Sequence, residues 1–208
     1  MNLSKLKRKS INLRKRYLLE FIKKVWQLTT LRLSPEALPY HHLYLWIGIG
    51  LNFALSYIVA ISFPETEIEL KLTSLKIMLM KAVNLFFLAL ILYCILMMVK
   101  KINRFSKLFL AIVAGTFVIE LVNFGISLFP ALLKYMFKMD LDANVGAALF
   151  FSLMVCISIA WMIIFMGHIF RFGLDVSRLK GIWIGIAYIL VSGMFSIMIF
   201  GNPFEALV

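Results

Sequence analysis

The sequence predicts an all-α polytopic membrane protein, a bundle of five transmembrane helices with a basic amphipathic N-terminal helix. Five apolar runs each hold about the 20 residues that an α-helix needs to cross ~30 Å of hydrocarbon. Hydrophobic residues make up 62% of the chain and the mean hydropathy is +0.95, more than a soluble domain of 208 residues can bury. The basic residues gather in segments that lie on one side of these runs.

The apolar runs divide the chain into two parts. Residues 1–42 form a basic segment with the amphipathic helix, and residues 43–208 form the transmembrane domain. The predicted spans are Leu43–Phe63, Met78–Val99, Leu108–Phe129, Asn144–Phe170 and Gly181–Phe200.

The distribution of charge predicts the orientation of the five spans. Of the 22 Lys and Arg residues, 17 fall before span one, between spans two and three, or between spans four and five. The opposite side carries the acidic residues after spans one and three. The positive-inside rule therefore predicts a cytoplasmic N-terminus and an outside C-terminus, as in a bacterial inner membrane. Because topology and anionic lipid account for the net charge of +12, no nucleic-acid partner is expected.

The segment before span one has the pattern of an amphipathic helix over Ile11–Thr30, with apolar residues on one face and basic residues opposite. Such a helix can lie in the headgroup layer against anionic lipids, pack on the bundle, or serve only as a tail that orients the first span. The candidate lipid-interface residues are Lys15, Arg16, Lys23, Lys24 and Trp26.

Polar residues within the spans mark the best candidate site, since an ionisable group in hydrocarbon costs about 3 kcal/mol. In span three Thr116, Glu120, Asn123 and Ser127 recur at intervals of four, three and four, so they share one helix face. Three residues of other spans complete the predicted intramembrane cluster. Asn84 is expected at the depth of Asn123 and Glu120, Asn52 a few ångströms lower, and Lys81 one turn further out than Asn84. Lys81 can either snorkel outward or lean toward Glu120.

Two interpretations of this cluster remain open. Glu120 can be a protonatable carboxyl in a proton or solute path, or a neutral group that is hydrogen-bonded between helices and holds them together. Span five begins with a G-x-x-x-G pattern at Gly181 and Gly185, where helix backbones can approach closely. These glycines can pack spans within one chain or join two copies.

No catalytic or metal-binding motif is present, so we expect no enzyme activity, no cofactor and no metal. His41 and His42 are adjacent and therefore point in different directions on a helix, and His168 is placed near the end of span four as an interfacial residue. Cys94 and Cys156 fall within spans, where a thiol behaves as a small apolar residue.

Two stretches resemble a known family. Arg32-Leu-Ser-Pro-Glu-Ala-Leu-Pro-Tyr40 is similar to the R-L-x-P-x-x-L-P segment that precedes span one in small bacterial members of the Yip family of five-span proteins. The stretch from Trp161 through His168 and Arg171 to Ser192 is similar to that family's last two spans. The resemblance implies a non-enzymatic membrane protein from a family linked in eukaryotes to membrane traffic and shaping.

We therefore expect a non-catalytic membrane protein that acts as an assembly, scaffold or membrane-organising factor. Its expected partners are a bilayer with anionic lipids and another membrane protein or further copies of this chain. The alternative is a small-solute or proton pathway that uses Glu120.

Overall fold

A computed structural model describes residues 17–62, 67–137 and 145–200. Within these ranges all regular structure is helical, which confirms the all-α prediction. Residues 17–29 form helix α1. The longer helices that follow are α2 (His42–Ser62), α3 (Glu67–Met98), α4 (Phe105–Phe137), α5 (Val145–Leu174) and α6 (Arg178–Phe200).

Each of the five long helices contains a stretch that is long and apolar enough to cross a membrane. The chain is therefore an integral membrane protein of the polytopic α-helical class. Helices α3 and α4 hold 32 and 33 residues, or about 50 Å, which exceeds the hydrocarbon thickness. Their ends must project beyond the bilayer or the helices must tilt.

The five helices pack as neighbours in a closed arrangement. Helix α2 contacts α3 and α4, α4 contacts α5, α5 contacts α6, and α6 contacts α3. The largest fully buried side chains cluster toward the end of the bundle that carries α1, among them Leu92, Leu96, Leu108, Phe165 and Phe170. Cys94 and Cys156 are free thiols on exposed helix faces.

Three helices end at this same level with one common motif. Leu31, Lys100 and Asp175 follow α1, α3 and α5 with φ values of 62°, 57° and 56°. In each case the next amide donates to the carbonyl five residues earlier, as Lys101 N does to Leu96 O at 2.8 Å. This is the Schellman pattern, which reverses the chain tightly although no glycine supplies the left-handed residue.

Helix α5 extends beyond the predicted fourth span, and the N-terminal helix ends close to its predicted end. The sequence predicts span four at Asn144–Phe170, whereas helix α5 continues to Leu174. His168 therefore lies about a turn and a half before the C-terminal end of the helix. The described part of the N-terminal helix ends at residue 29, close to the predicted end at Thr30, and its predicted first residues, 11–16, lie outside the described residues.

Candidate functional site

An ion pair lies at the centre of the predicted intramembrane cluster. Lys81 of α3 donates through Nζ to Glu120 Oε1 of α4, and the two side chains are 17% and 34% exposed. Of the two orientations expected for Lys81, the structure has the one that leans toward Glu120. Pairing lowers the cost of two charges at this depth, because each charge replaces part of the hydration that the other lost.

Helix geometry explains why these two residues meet. Lys81 lies 17 residues before the end of α3 at Met98, and Glu120 lies 15 residues after the start of α4 at Phe105. At 1.5 Å per residue both are therefore about 22–26 Å from the turn that joins the two antiparallel helices. That turn is a single 3-10 segment, Ile102–Arg104.

Two amide side chains of the cluster also form pairs between helices. Ser192 of α6 donates its hydroxyl to Asn84 Oδ1 of α3, and Ser158 of α5 donates to Asn123 Oδ1 of α4. Neither serine could be identified from the sequence, because a serine within an apolar span is common and carries no distinctive pattern. Each pair therefore connects two helices of the bundle.

The remaining predicted cluster residues are Asn52, Thr116 and Ser127. Asn52 is fully buried and donates through Nδ2 to Gly48 O at 2.8 Å and to Val113 O at 3.0 Å, which joins α2 to α4. Thr116 and Ser127 donate to carbonyls of their own helix, at 3.2 and 2.9 Å. The predicted stripe on α4 thus divides: Glu120 and Asn123 bond to other helices, whereas Thr116 and Ser127 do not.

Two cavities meet at the ion pair. One, of about 220 Å³, lies between α3, α4, α5 and α6 and is lined by Asn84 and Tyr188 together with Lys81 and Glu120. The other, of about 300 Å³, lies between α2, α3 and α4 and is lined by Asn123 and by the same ion pair. Tyr188 is 4% exposed and its hydroxyl has no hydrogen-bond partner among the described residues. The ion pair therefore borders both spaces.

The predicted lipid-interface residues have three different outcomes. Lys15 and Arg16 lie outside the described residues. Lys23 and Trp26 are exposed, whereas Lys24 is half-buried and lies 3.1 Å from Glu20.

Of the alternatives left open for α1, the structure shows packing against the bundle for one face of the helix. Val25, Leu28 and Thr29 are buried, Phe21 stacks on Tyr44 with ring centroids 4.3 Å apart, and Trp161 Nε1 donates to Thr29 O at 2.9 Å. The neighbouring row of α1, formed by Leu18, Ile22 and Trp26, faces outward and is exposed. The helix is thus docked on one apolar face and open on another.

The G-x-x-x-G pattern joins two helices of the same chain. A Cβ added to Gly181 would lie 2.5 Å from Gly167 O of α5, and one added to Gly185 would lie 3.0 Å from Gly167 N. A Cβ on Gly167 would in turn lie 2.8 Å from Ile182 Cα. Because the backbones are in contact, there is no room for a Cβ at Gly181 or Gly167, and a Cβ at Gly185 would require its neighbours to shift by a few tenths of an ångström.

A network of charged side chains, not found from the sequence, joins the turns at the α1 end. Asp175 accepts from Arg104 Nη1 at 3.0 Å and from Lys101 Nζ at 2.6 Å, and Arg104 Nε lies 3.1 Å from Glu36 Oε1. The hydrogen bonds from Arg104 and then from Lys101 lower the pKa of Asp175 to about 2. These partners are about 70 residues apart in sequence, and no local pattern brings them together.

Each of the three histidines has a hydrogen-bonding partner, and the partner of His168 is distant in sequence. His168 Nε2 lies 2.8 Å from Leu33 O, His41 Nδ1 accepts from the amide of Leu43 at 3.1 Å, and His42 Nδ1 lies 2.9 Å from the hydroxyl of Tyr40. His168 thereby joins α5 to the segment after α1. Among the described residues no three His, Cys, Asp or Glu side chains come together as metal ligands.

Comparison of the chain with protein-family models, with curated proteins and with solved structures gives no match. The class of the protein therefore rests on its own fold: an α-helical polytopic membrane protein with a paired charge inside its bundle and an N-terminal helix docked on its side. The resemblance to the Yip family stays a prediction.

Proposed function

We propose that this chain is a non-catalytic integral membrane protein that acts as an assembly, scaffold or membrane-organising factor through helix and lipid contacts. One observation carries the proposal. The charged and amide side chains at the centre of the bundle are used in pairs between helices, Lys81 with Glu120, Asn84 with Ser192 and Asn123 with Ser158. These charged and amide side chains could take part in catalysis or transport, and they are instead used to hold helices together.

The outer surface supports a role in contacts. On α5 four exposed apolar residues recur at four-residue intervals: Val145, Leu149, Leu153 and Ile157. This row offers a lipid-facing or helix-binding surface, in keeping with a membrane-protein partner or a homo-oligomer. On α1 the exposed Lys23 and Trp26 favour contact with anionic lipids.

The orientation of the chain in the membrane and its relationship to a known family belong to the same proposal. We place the N-terminus in the cytoplasm and the C-terminus outside, in a bacterial inner membrane, on the asymmetry of basic residues. We also propose a relationship to small bacterial members of the Yip family, on the segment Arg32–Tyr40 and the last two spans.

Isolation of the full chain in a mild detergent tests the function. A membrane protein that copurifies in fixed stoichiometry supports an assembly or scaffold role, and its loss on substitution of the α5 row would locate the contact. A chain that is isolated alone, as a monomer, and that leaves vesicle shape and lipid organisation unchanged on reconstitution would contradict the proposal.

Orientation is tested by cysteine labelling in a background that lacks Cys94 and Cys156. Asn103→Cys, in the turn between α3 and α4, should be protected from an impermeant reagent added outside whole cells, whereas Glu67→Cys should react. Asn103 is exposed and its side chain is not part of the charged network, so the substitution should leave the turn intact. The reverse labelling pattern would show that the N-terminus is outside.

The two cavities that meet at the ion pair favour a second candidate function, a small-solute or proton pathway through Glu120. The double variant Lys81→Gln with Glu120→Gln keeps side-chain size while it removes both charges. If wild-type proteoliposomes show a pH-dependent flux and the stable double variant does not, the pathway is supported. Absence of flux from wild-type proteoliposomes over a range of ions and small polar solutes would contradict it.

A further inference from the structure

A narrow apolar groove lies where α1 crosses α2 and α4. Its volume is about 170 Å³, its walls are Ile22 and Trp26 on one side and Ile47 and Leu51 on the other, and its lining has almost no polar surface. All four wall residues are exposed, with 42–55% of each side chain accessible. The groove is therefore open toward the outside of the bundle.

The floor of the groove is made of small or deeply buried residues. Gly48 of α2 and Ala114 of α4 lie at its base, and a Cβ on Gly48 would come within 3.1 Å of Val113 Cγ1. Along α2 the groove extends from Tyr44 to Leu51, about 10 Å at 1.5 Å per residue. It is narrow, and its volume of about 170 Å³ is smaller than the ~300 Å³ at which sites for compact small molecules begin. An elongated apolar segment suits this shape.

The surroundings of the groove indicate what that segment is. Helices α2 and α4 are both membrane-spanning candidates, and the groove lies within their spanning stretches, so its open side faces lipid. Acyl chains are the elongated apolar groups available there. The wall residues Ile22 and Trp26 belong to the outward row of α1, and this row gives an acyl chain a continuous apolar path along the helix.

One cation adjoins this path. Lys23 follows Ile22 and lies three residues before Trp26, so its side chain borders the outward row. Lys24, on the other side of α1, pairs with Glu20, whereas no acidic residue of the described part of the chain pairs with exposed Lys23. The long side chain of Lys23 can extend its ammonium from this row toward the headgroup layer, where an anionic headgroup complements its charge.

Other occupants fit less well. Residues 1–16 of this chain contain seven Lys and Arg residues, too many charges for an apolar groove. A second copy would need an apolar projection that enters a cleft only about 10 Å long, and it would leave Lys23 without a counter-charge. We propose that the groove between α1, α2 and α4 binds one acyl chain of an anionic phospholipid whose phosphate contacts Lys23. The inference deepens the proposed membrane-organising role by naming a lipid class and its site.

Quenching by brominated lipids tests the site in the full chain. The protein is reconstituted in phosphatidylcholine vesicles that contain a small fraction of phosphatidylglycerol or phosphatidylcholine with brominated acyl chains. Fluorescence is compared between the wild type and Trp26→Phe, so that the difference reports Trp26 alone. A parallel comparison with Trp183→Phe reports Trp183 of α6, which is 63% exposed and serves as the matched control for general lipid contact.

We expect brominated phosphatidylglycerol to quench Trp26 well beyond Trp183, and brominated phosphatidylcholine to quench the two equally. Lys23→Gln should raise the phosphatidylglycerol fraction required for the same quenching about five-fold, from the contribution of one basic residue near the surface. Lys180→Gln, which removes another exposed lysine at the start of α6, should change nothing. Ala114→Leu, which fills the floor, should remove the excess quenching.

Three results would overturn the inference: equal quenching of Trp26 and Trp183 by both lipids, absence of Trp26 quenching by either lipid, or a phosphatidylglycerol preference that survives Lys23→Gln. Because Lys23 is a surface residue, this last variant separates lost binding from lost folding even if Ala114→Leu proves unstable. The test is independent of partner copurification, so the lipid site and the scaffold role can fail separately.

Discussion

In the half of the bundle near α1, buried side chains are almost all apolar and helix backbones touch, whereas the other half holds polar pairs and two cavities. We name these the packed half and the polar half. The packed half comprises residues 92–98 of α3, 105–114 of α4, 167–174 of α5 and 178–185 of α6. The polar half contains Lys81, Asn84, Glu120, Asn123, Ser158 and Ser192.

The difference shows two ways to join helices in lipid. In the packed half, small residues such as Gly167 and Gly181 bring backbones into contact, and close packing supplies the attraction. In the polar half two cavities lie between the helices, and direct hydrogen bonds and an ion pair join the helices around them. Substitutions in the packed half should therefore have larger effects on stability than substitutions in the polar half.

The largest effect is expected for Gly181→Ala. The added Cβ would lie 2.5 Å from Gly167 O and 3.0 Å from Arg171 N, both backbone atoms that cannot rotate away. We expect a loss of about 3 kcal/mol, at the upper end for overpacking, measured as thermal unfolding in detergent. Gly193→Ala on the same helix is the control, since nothing lies within 4 Å of its Cβ position. Equal stability of the two variants would show that α5 and α6 do not depend on this contact.

A smaller effect is expected at the ion pair. Glu120→Gln removes one charge and leaves the Lys81 ammonium in the bundle without a carboxylate. Because the two side chains are partly exposed, we expect a loss of about 1–2 kcal/mol rather than the larger cost of a fully buried pair. The double variant Lys81→Gln with Glu120→Gln should recover most of this lost stability, measured as thermal unfolding in detergent. If the double variant is as unstable as the sum of the single variants, the pair contributes no coupling.

Sequence patterns predicted the helices well because the cost of unpaired backbone in hydrocarbon leaves few alternatives to long apolar helices. They also predicted that Glu120 and Asn123 share a face, and one of the two orientations that they allowed for Lys81 is the observed contact with Glu120. They did not predict the partners Ser158 and Ser192, or Gly167 opposite Gly181, because the rotation of each helix about its axis is set by tertiary packing. The network around Asp175 was missed for the same reason, since it depends on how three separate turns assemble.

The docking of α1 is tested by Trp161→Phe. This substitution keeps the aromatic ring and removes the indole donor that bonds Thr29 O at 2.9 Å. We expect α1 to open more easily by about 1 kcal/mol, measured as faster amide hydrogen exchange over residues 21–29. Trp183→Phe, at an exposed position of α6, should leave that exchange unchanged. Unaltered exchange in Trp161→Phe would mean that apolar contacts of Val25 and Leu28 hold the helix without this bond.

The smallest effect is expected at Asp175, which is exposed and joins the turns at the edge of the packed half. Its pKa is lowered from 3.8 to about 2 by hydrogen bonds from Arg104 and Lys101, so its contribution to stability is present above about pH 4. The contribution should fall as the pH decreases through 2, when the folded carboxyl becomes protonated. The midpoint of thermal unfolding should therefore fall more between pH 4 and pH 2 in the wild type than in Asp175→Asn, which cannot ionise.

Glu20→Gln, which removes the surface partner of Lys24, is the control and should keep the wild-type pH dependence at Asp175. Identical pH profiles for the wild type and Asp175→Asn would show that solvent screening removes the benefit of this network, and that packing alone holds the turns in place.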